Sequence, residues 1–233
     1  MISSDLAEWP HAVERNGFAI ASNVFSQQEM SGLIEDFEAA NLTRSRAGVR
    51  HAMASPVVAA VAQDERMLAL ARPALGATAV PFRATLFDKS PESNWLVVWH
   101  QDTALPLKQR QEMPGWGPWS VKDSVIYARA PASALNRILA LRLHLDESTA
   151  ENGPLRILPA THSLGVLADD AIHDLAERKP HVDCLVSQGG VLAMRPLVVH
   201  ASSKSRIDAP RRVLHIEYAA STTLTEGAEL AVA

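Results

Sequence analysis

The sequence predicts a mainly β fold with flanking helices, in which short strands form a sandwich or barrel and helices pack outside it. Two observations favour this fold class. Before about residue 80 the apolar residues recur with helical spacing, and after it they form short runs rich in β-branched and aromatic residues, separated by turn signals. The 233 residues are 47% hydrophobic, enough to bury a substantial core. We expect one domain over residues 1–233, with a helical part over about 1–78 and a barrel over about 79–220.

Composition excludes several classes of protein. With 22 basic and 26 acidic side chains the net charge is −4, which argues against nucleic acid as a partner. The single cysteine, Cys184, forms no internal disulfide, and we expect it to be a buried, inert thiol in a reducing compartment. No signal-like start and no long apolar run is visible, so we expect a cytoplasmic protein that acts on a small molecule without contacting a membrane. The oligomeric state is left open.

Two helices are predicted in the N-terminal part. Ser26 and Glu29 have the spacing of a capping box, and the apolar residues after them recur on one helical face. A second helix is expected over residues 56–70, and Pro73 and Gly76 are expected to interrupt the chain beyond it.

The barrel strands are predicted from the runs at 82–89, 94–100, 139–145, 155–158, 190–194, 196–200 and 212–218. Asn152-Gly153 is a turn signal between two of them. Residues 165–180 favour a helix or an excursion from the barrel. The segment of about 105–131 is rich in proline and glycine, so we expect an irregular insert there, of the kind that often serves as a lid or binding loop.

Two His-x-Asp pairs occur at predicted strand ends. In a strand, residues i and i+2 point to the same side, so His100 and Asp102 project together. Such a pair supplies two thirds of the 2-His-1-carboxylate set that binds Fe(II) with coordination positions left open. His144 and Asp146 have the same spacing, and spacing alone leaves both pairs open.

A third histidine lies near the C-terminus. His200 ends a predicted strand, and the polar segment after it carries a local excess of positive charge before Arg211 and Arg212 open the last strand. A guanidinium held near a metal suits bidentate recognition of a dicarboxylate. The alternative is a solvated basic loop.

Three segments together resemble the phytanoyl-CoA dioxygenase (PhyH-like) family: WHQD, LHLDESTAENGPLRILPATHSLG and RPLVVHASSKSRIDAPRRVLHIEYA. The resemblance covers nearly the whole chain. It implies a double-stranded β-helix, the jelly-roll or cupin-like barrel, and an oxygenase that depends on Fe(II), 2-oxoglutarate and O2.

The order of the segments in the family implies a role for each matching residue. His100, Asp102 and His200 match the metal ligands, whereas His144 and Asp146 match the strand before the NGPL turn. The resemblance further implies that Arg211 binds the distal carboxylate of 2-oxoglutarate and that the Ser202 hydroxyl assists it. One departure is the segment Pro159-Ala-Thr-His162, where the family has PGSH. We expect a small backbone adjustment there, without loss of chemistry.

Further contacts to 2-oxoglutarate are predicted from Lys89 and Asn94, which lie near the metal strand. For Lys89 the alternative is a turn lysine in solvent. His215 alternates with apolar residues on the last strand, and a satisfied core histidine is the favoured interpretation.

Four tryptophans fall within a short stretch of the chain. Trp116 and Trp119, in the insert, are candidates for an aromatic wall or lid over an apolar substrate, with simple loop packing as the alternative. Trp95 and Trp99 are expected in the core, because strict alternation places them on the face opposite His100 and Asp102.

The function favoured by these residues and by the resemblance is a 2-oxoglutarate-dependent non-haem iron dioxygenase. It would hydroxylate a small molecule and release succinate and CO2. A second hypothesis is a metal enzyme on the same barrel that uses no 2-oxoglutarate, with Arg211 binding an acidic substrate. A third is a non-catalytic cupin-like binding protein.

Overall fold

The computed structural model describes residues 8–40, 48–90, 93–225 and 227–233. The helices are α1 Trp9–Asn16, α2 Gln27–Ala39, α3 Pro56–Ala62, α4 Glu65–Leu75, α5 Ala132–Leu135 and α6 Asp169–Arg178, with 3-10 turns at Ala52–Ala54 and Thr161–Leu164. The first strands are β1 Phe18–Ala21, β2 Gly48–Val49, β3 Val80–Lys89, β4 Val97–His100, β5 Ala104–Leu107, β6 Trp119–Lys122, β7 Val125–Arg129 and β8 Ile138–His144. The later ones are β9 Leu155–Ile157, β10 Val182–Cys184, β11 Val191–Met194, β12 His200–Ser202, β13 Arg211–Ala219, β14 Thr223–Thr225 and β15 Ala228–Glu229.

The strands form antiparallel sheets. The large sheet has the order β1-β11-β8-β13-β3-β2, and the smaller one has the order β10-β9-β12-β4. The two sheets contribute side chains to one cavity between them. This is the arrangement of a jelly-roll barrel, so the predicted fold class is confirmed. Across the described residues, no helix is long and apolar enough to cross a membrane.

Alternation along the central strands separates the core from the site. On β8 the leucines Leu139, Leu141 and Leu143 pack with the N-terminal helices in the main hydrophobic core. Arg142 and His144 face the opposite side, into the barrel. One face of the large sheet therefore packs against the N-terminal helices, and the other face contributes side chains to the site.

The N-terminal part is less purely helical than predicted. The capping box at α2 is present, with the Glu29 amide donating to Ser26 Oγ at 3.2 Å and the Ser26 amide to Glu29 Oε2 at 2.8 Å. However, β1 and β2 come from this part and form the two edges of the large sheet. Edge strands this short carry too few alternating residues to be recognised in a sequence.

The predicted helix over residues 56–70 was wrong in its bounds. It divides into α3 and α4, because Asp64 accepts from the Arg66 amide at 2.9 Å and caps a new helix. α4 then continues through Pro73 to Leu75 before Gly76 ends it. A proline in the last turn removes one helical hydrogen bond at most, so it does not stop this helix.

The insert over 105–131 is not irregular throughout, which corrects the prediction. It carries β6 and β7, which pair with β5 in a three-stranded sheet of order β5-β7-β6. Asp123 and Ser124, with φ of 48° and 66°, make the tight turn between β6 and β7. The strand expected over 196–200 was also wrong, since β12 begins only at His200. Within the predicted 165–180 excursion, α6 is a regular helix.

Candidate active site

A cavity of about 400 Å³ lies between the two sheets. The large sheet lines it with Arg83, Thr85, Phe87, Arg142, Arg211 and His215, and the smaller sheet with Val97, His100, His200, Ser202 and Leu155. Trp95, residues 101–104, the β6–β7 hairpin and the segment after β2 complete the lining. This volume is within the range of small-molecule sites.

His100, Asp102 and His200 converge in this cavity. His100 and His200 are direct partners across β4 and β12, and their ring centroids are 4.2 Å apart. Asp102 Oδ1 lies 3.7 Å from His100 Nε2, and Asp102 Oδ2 lies 3.6 Å from His200 Nε2. One ligand atom from each residue falls within 4.8 Å of the others. The three side chains thus present two nitrogens and a carboxylate to one point.

The tautomers of both histidines suit metal binding. Nδ1 of His100 bonds the Val98 carbonyl at 2.8 Å, and Nδ1 of His200 bonds the Val198 carbonyl at 2.9 Å. Because a carbonyl only accepts, each Nδ1 carries a proton, and a neutral ring then keeps its lone pair on Nε2. Backbone carbonyls of this kind orient metal-ligating histidines. The donor set fits Fe(II), which takes two imidazoles and a carboxylate on one face.

Gln101 lies between the candidate metal ligands His100 and Asp102 and anchors this segment of the chain by hydrogen bonds. Its Nε2 donates to the Leu197 carbonyl at 2.7 Å and to the Gly165 carbonyl at 2.9 Å, and its Oε1 accepts from the Leu167 amide at 2.8 Å. The Asp102 amide also donates to the Pro196 carbonyl. Asp102, which lies just past the end of β4, is therefore positioned by its neighbours.

The charge states favour a cation. Burial alone would raise the pKa of Asp102, but His200 and His100 hold it well below its usual range, so the carboxylate is ionised. Burial lowers the pKa of His200 to about 4, although Asp102 opposes this. Burial also lowers the pKa of His100, but the hydrogen bond with Asp102 raises it, and the pKa lies above its ordinary value.

The competing His-x-Asp pair, His144 and Asp146, does not form a metal-binding set in the structure. Asp146 accepts from the Arg212 guanidinium at 2.8 and 2.9 Å and from the Arg212 amide at 2.8 Å. His144 is buried, its ring nitrogens have no hydrogen-bond partner in the described residues, and burial followed by Arg142 puts its pKa well below the ordinary value. A further pair, His181 and Asp183, is half-exposed, with Asp183 on β10 and His181 just before it. In the described chain, only the set with His100 gathers three metal-ligating side chains.

The inner end of the cavity is strongly basic. Arg211 on β13 lines the cavity and lies directly opposite Lys89 on β3. Both are buried, and Lys89 lies behind the lining, where it contacts Ser202. Lys89 Nζ donates to Ser202 Oγ at 3.0 Å, and Arg211 Nη2 lies 3.4 Å from the same oxygen. Neither cation has a carboxylate partner among the described residues. Burial, then Arg211 and Arg142, lower the pKa of Lys89 to about 7, and burial lowers that of Arg211 to about 9. This end suits the carboxylate of a ligand.

Arg142 and His215 form a second buried pair that sequence reasoning did not connect. Arg142 Nη1 and His215 Nδ1 are 3.0 Å apart across β8 and β13, and both residues line the cavity. His215 is buried and hydrogen-bonded, as predicted, but it also faces the site. Cys184 is buried and its pKa is raised to about 12, so the inert thiol predicted there is confirmed.

Asn94 does not reach the cavity. Its amide group pairs with the backbone of Ser205, donating to the carbonyl at 2.9 Å and accepting from the amide at 2.8 Å. Both functional ends of the side chain are thereby engaged in fixing the loop after β12. The prediction that Asn94 contacts 2-oxoglutarate is therefore not supported by its position.

The tryptophan predictions need correction. Trp116 is buried in a second hydrophobic cluster and Trp119 packs against it, so neither lines the cavity. Trp95 does line it, with Lys89 Nζ 5.3 Å from its ring centroid, and was wrongly expected in the core. The cause is a bulge in β4. His200 pairs with His100 and Ser202 pairs with Val97, so two residues along β12 match three along β4. The extra residue reverses which face the preceding side chains occupy. Trp99, beyond the bulge, packs against a small core cluster at α6.

The turn where the family has a glycine places Ala160 in a left-handed conformation. Its φ is 64° and its ψ is 6°, a region that glycine adopts more readily than alanine. Its amide donates to the Asn16 carbonyl at 2.8 Å. Alanine in this conformation costs about 1 kcal/mol relative to glycine.

Residues 13–213 match the family described as Phytanoyl-CoA dioxygenase (PhyH). Ectoine dioxygenase of Bordetella parapertussis is 25% identical over 174 residues, which cover 67% of this chain and 49% of that protein. The chain thus spans about half the length of the curated relatives it matches.

Solved structures are similar in fold. AviO1 from Streptomyces viridochromogenes Tue57 has a TM-score of 0.68 at 22% identity, covering 99% of this chain and 100% of that one. The epimerase SnoN of nogalamycin biosynthesis, in complex with Fe3+, alpha ketoglutarate and nogalamycin RO, has a TM-score of 0.71 at 17% identity, covering 93% of this chain and 84% of that one. With residues 13–213 matched and this fold present, the resemblance drawn from the sequence is confirmed: the chain belongs to the phytanoyl-CoA dioxygenase (PhyH) family.

Proposed function

We propose that the protein is an Fe(II)- and 2-oxoglutarate-dependent dioxygenase that hydroxylates a small molecule. The observation that carries this proposal is the convergence of His100, Asp102 and His200 in a cavity lined by Arg211, with Lys89 buried directly behind the lining residue Ser202. Family membership and the agreement in fold with enzymes of this class support it. The reaction balances as R–H + O2 + 2-oxoglutarate → R–OH + succinate + CO2.

In this proposal each residue has a defined task. His100 and His200 offer Nε2 and Asp102 offers a carboxylate oxygen to Fe(II), which when bound supplies the redox chemistry for O2 activation. Arg211 and Lys89 hold the distal carboxylate of 2-oxoglutarate. The hydroxyl of Ser202 accepts from both cations and donates to the Gly153 carbonyl at 3.0 Å, so in this proposal it assists by orienting Lys89 and Arg211 toward the carboxylate.

The surrounding side chains keep this end of the cavity in place. Phe87 on β3 and Val213 on β13 are cross-strand partners, two residue pairs along from the Lys89–Arg211 pair. Trp95 stands over the Lys89 ammonium. These groups exclude water from one side of the buried cations, which strengthens their attraction for a carboxylate.

The decisive experiment is an anaerobic titration. Fe(II) and then 2-oxoglutarate are added to the purified protein, and the visible charge-transfer band of the chelated complex is recorded. We expect the band to form without any substrate. Asp102→Ala should lose Fe(II) binding and the band, whereas Asp183→Ala, which alters a His-x-Asp pair of the same spacing on the surface, should retain both.

The other outcomes distinguish the remaining hypotheses. Iron binding without the band would mean that 2-oxoglutarate does not chelate the metal, and it would favour a metal enzyme that uses no keto acid. No iron binding at all would favour a non-catalytic binding protein. Loss of the band in Asp146→Ala but not in Asp102→Ala would mean that the wrong His-x-Asp pair was assigned.

A further inference from the structure

The opening of the cavity carries a second group of basic side chains, distinct from Lys89 and Arg211 at its inner end. This mouth cluster consists of Arg50, His51, Arg83 and Lys122 around the ring of Tyr127, and all five residues line the cavity. Arg50 and Lys122 are exposed, which places them at the opening.

Contacts to Tyr127 gather His51, Arg83 and Lys122 from three parts of the chain, and Arg50 is the residue next to His51. His51 Nε2 and the Tyr127 hydroxyl are hydrogen-bonded at 2.8 Å. The Lys122 ammonium lies 5.5 Å from the ring centroid, and the Arg83 guanidinium carbon lies 5.8 Å from it. The cluster is thus a built part of the cavity wall and not a chance group of surface charges.

Residues with positive φ fix the positions of His51 and Lys122 in the mouth cluster. His51 has φ of 53° and lies at the start of the 3-10 turn after β2. The tight turn at Asp123 and Ser124 fixes Lys122 on the same face of the hairpin as Tyr127. Such conformations persist only where the surrounding structure determines them, and they are enriched at binding sites.

The charge of the mouth cluster is not neutralised within the described residues. The charge of Arg83 is already paired within the protein, because Arg83 forms an ion pair with the buried carboxylate of Glu217 and donates to the Ala104 carbonyl at 3.0 Å. Arg50 and Lys122 make no ion pair in the described chain. The one carboxylate that lines the cavity is Asp102, which belongs to the proposed metal site. Two cations at the opening therefore face no anion of the described protein.

We infer that the substrate is a small organic acid whose carboxylate, sulfate or phosphate group is bound by Arg50 and Lys122, while a C–H bond of the same molecule reaches the metal end. The inference rests on the proposed function and names its substrate class. The inner cations cannot serve this purpose while 2-oxoglutarate occupies them. A cavity with uncompensated positive charge at its opening also attracts anions and disfavours cationic molecules.

The test uses matched probes on the protein loaded anaerobically with Fe(II) and saturating 2-oxoglutarate. Butyrate, butyl sulfate, butyl phosphate and the neutral isostere butyramide are titrated by calorimetry, while the charge-transfer band reports on retained 2-oxoglutarate. We expect at least one acid to bind tenfold or more tightly than butyramide and to leave the band in place. Its affinity should fall when the salt concentration is raised, since exposed charges are screened.

The double variant Arg50→Gln/Lys122→Gln should weaken the binding of that acid about tenfold, the sum of two exposed charge contacts, and should leave butyramide unchanged. The control Arg178→Gln/Lys179→Gln makes the same change of net charge at the end of α6, away from the cavity, and should behave as the wild type.

Failure of this inference is separable from failure of the proposed function. If no charge-transfer band forms, the proposed function fails before any probe is added. If the band forms but no acid binds better than butyramide, or the acid displaces 2-oxoglutarate, the inference is overturned. It is equally overturned if the double variant weakens 2-oxoglutarate binding and leaves the acids unaffected, because the mouth cluster would then attract the co-substrate.

Discussion

Lys89 and Arg211 are direct partners across β3 and β13, and both reach the hydroxyl of Ser202. Two buried like charges at one cross-strand position are unfavourable in the free protein. The arrangement is therefore one that a bound anion would stabilise. Burial is the largest cause of the lowered pKa of each side chain, and Arg211 lowers that of Lys89 further.

The Lys89 ammonium should make 2-oxoglutarate binding dependent on pH. In the free protein burial, with Arg211 and Arg142, lowers its pKa to about 7, so the side chain loses its proton as the pH rises through neutrality. The dianion prefers the protonated form, and its affinity should fall by up to about tenfold per pH unit above pH 7. Dissociation constants measured from pH 6 to 9 would show this slope. Lys89→Met should bind more weakly with a flatter profile, and a wild-type slope in Lys89→Met would refute the assignment.

Replacing Arg211 should separate the two ligands. Arg211→Gln removes a buried charge at the inner end, and we expect 2-oxoglutarate affinity to fall by roughly 10- to 100-fold, the value of a hydrogen bond to a charged group. Fe(II) affinity should change little, because Arg211 is not part of the metal set. Arg206→Gln, on the exposed loop before β13, is the control. Equal loss of both ligands would indicate that the change disrupts β13.

Gln101 should matter for the metal although it is not a ligand in the proposal. Gln101→Leu leaves the carbonyls of Leu197 and Gly165 and the amide of Leu167 without their partner. We expect the free energy of unfolding to fall by about 1–3 kcal/mol and Fe(II) affinity to fall about tenfold or more. Both quantities follow from denaturant unfolding and anaerobic Fe(II) titration. Unchanged Fe(II) affinity in a destabilised variant would limit Gln101 to a structural role.

Ala160→Gly should stabilise the fold by about 1 kcal/mol, because alanine occupies a left-handed conformation there that glycine adopts without cost. Thermal unfolding would detect the change as a rise in Tm. Ala69→Gly, at an exposed position in the middle of α4, should lower stability by a similar amount. A loss of stability in both variants would show that the turn at Ala160 is not strained.

Local sequence patterns were sufficient to predict much of the fold. The alternation of Leu139 to Leu145 predicts β8 and tells which side chains face the helices, and the capping box at Ser26 fixes the start of α2. Both depend on residues a few positions apart, which is the range over which periodicity and capping act.

Departures from the predictions occur where distant parts of the chain meet. The bulge in β4 arises from its pairing with β12 and moves Trp95 from the expected core position into the cavity. The insert folds into strands because β5 and β7 pair, and its tryptophans then pack away from the cavity. Register and packing of this kind are decided by tertiary contacts, which local propensity does not contain.

The sequence by itself determined the chemistry available to this protein: the His-x-Asp pairs, the later histidine and arginine, and the family to which the chain belongs. Only the tertiary structure decided which of these groups share a cavity. It brings His100 and Asp102 to His200, commits Asp146 to Arg212, and unites His51 with Tyr127 across 76 positions of the chain. The physical reason is that a site is defined by distances of a few ångströms, and the folding of the strands sets those distances independently of separation along the chain.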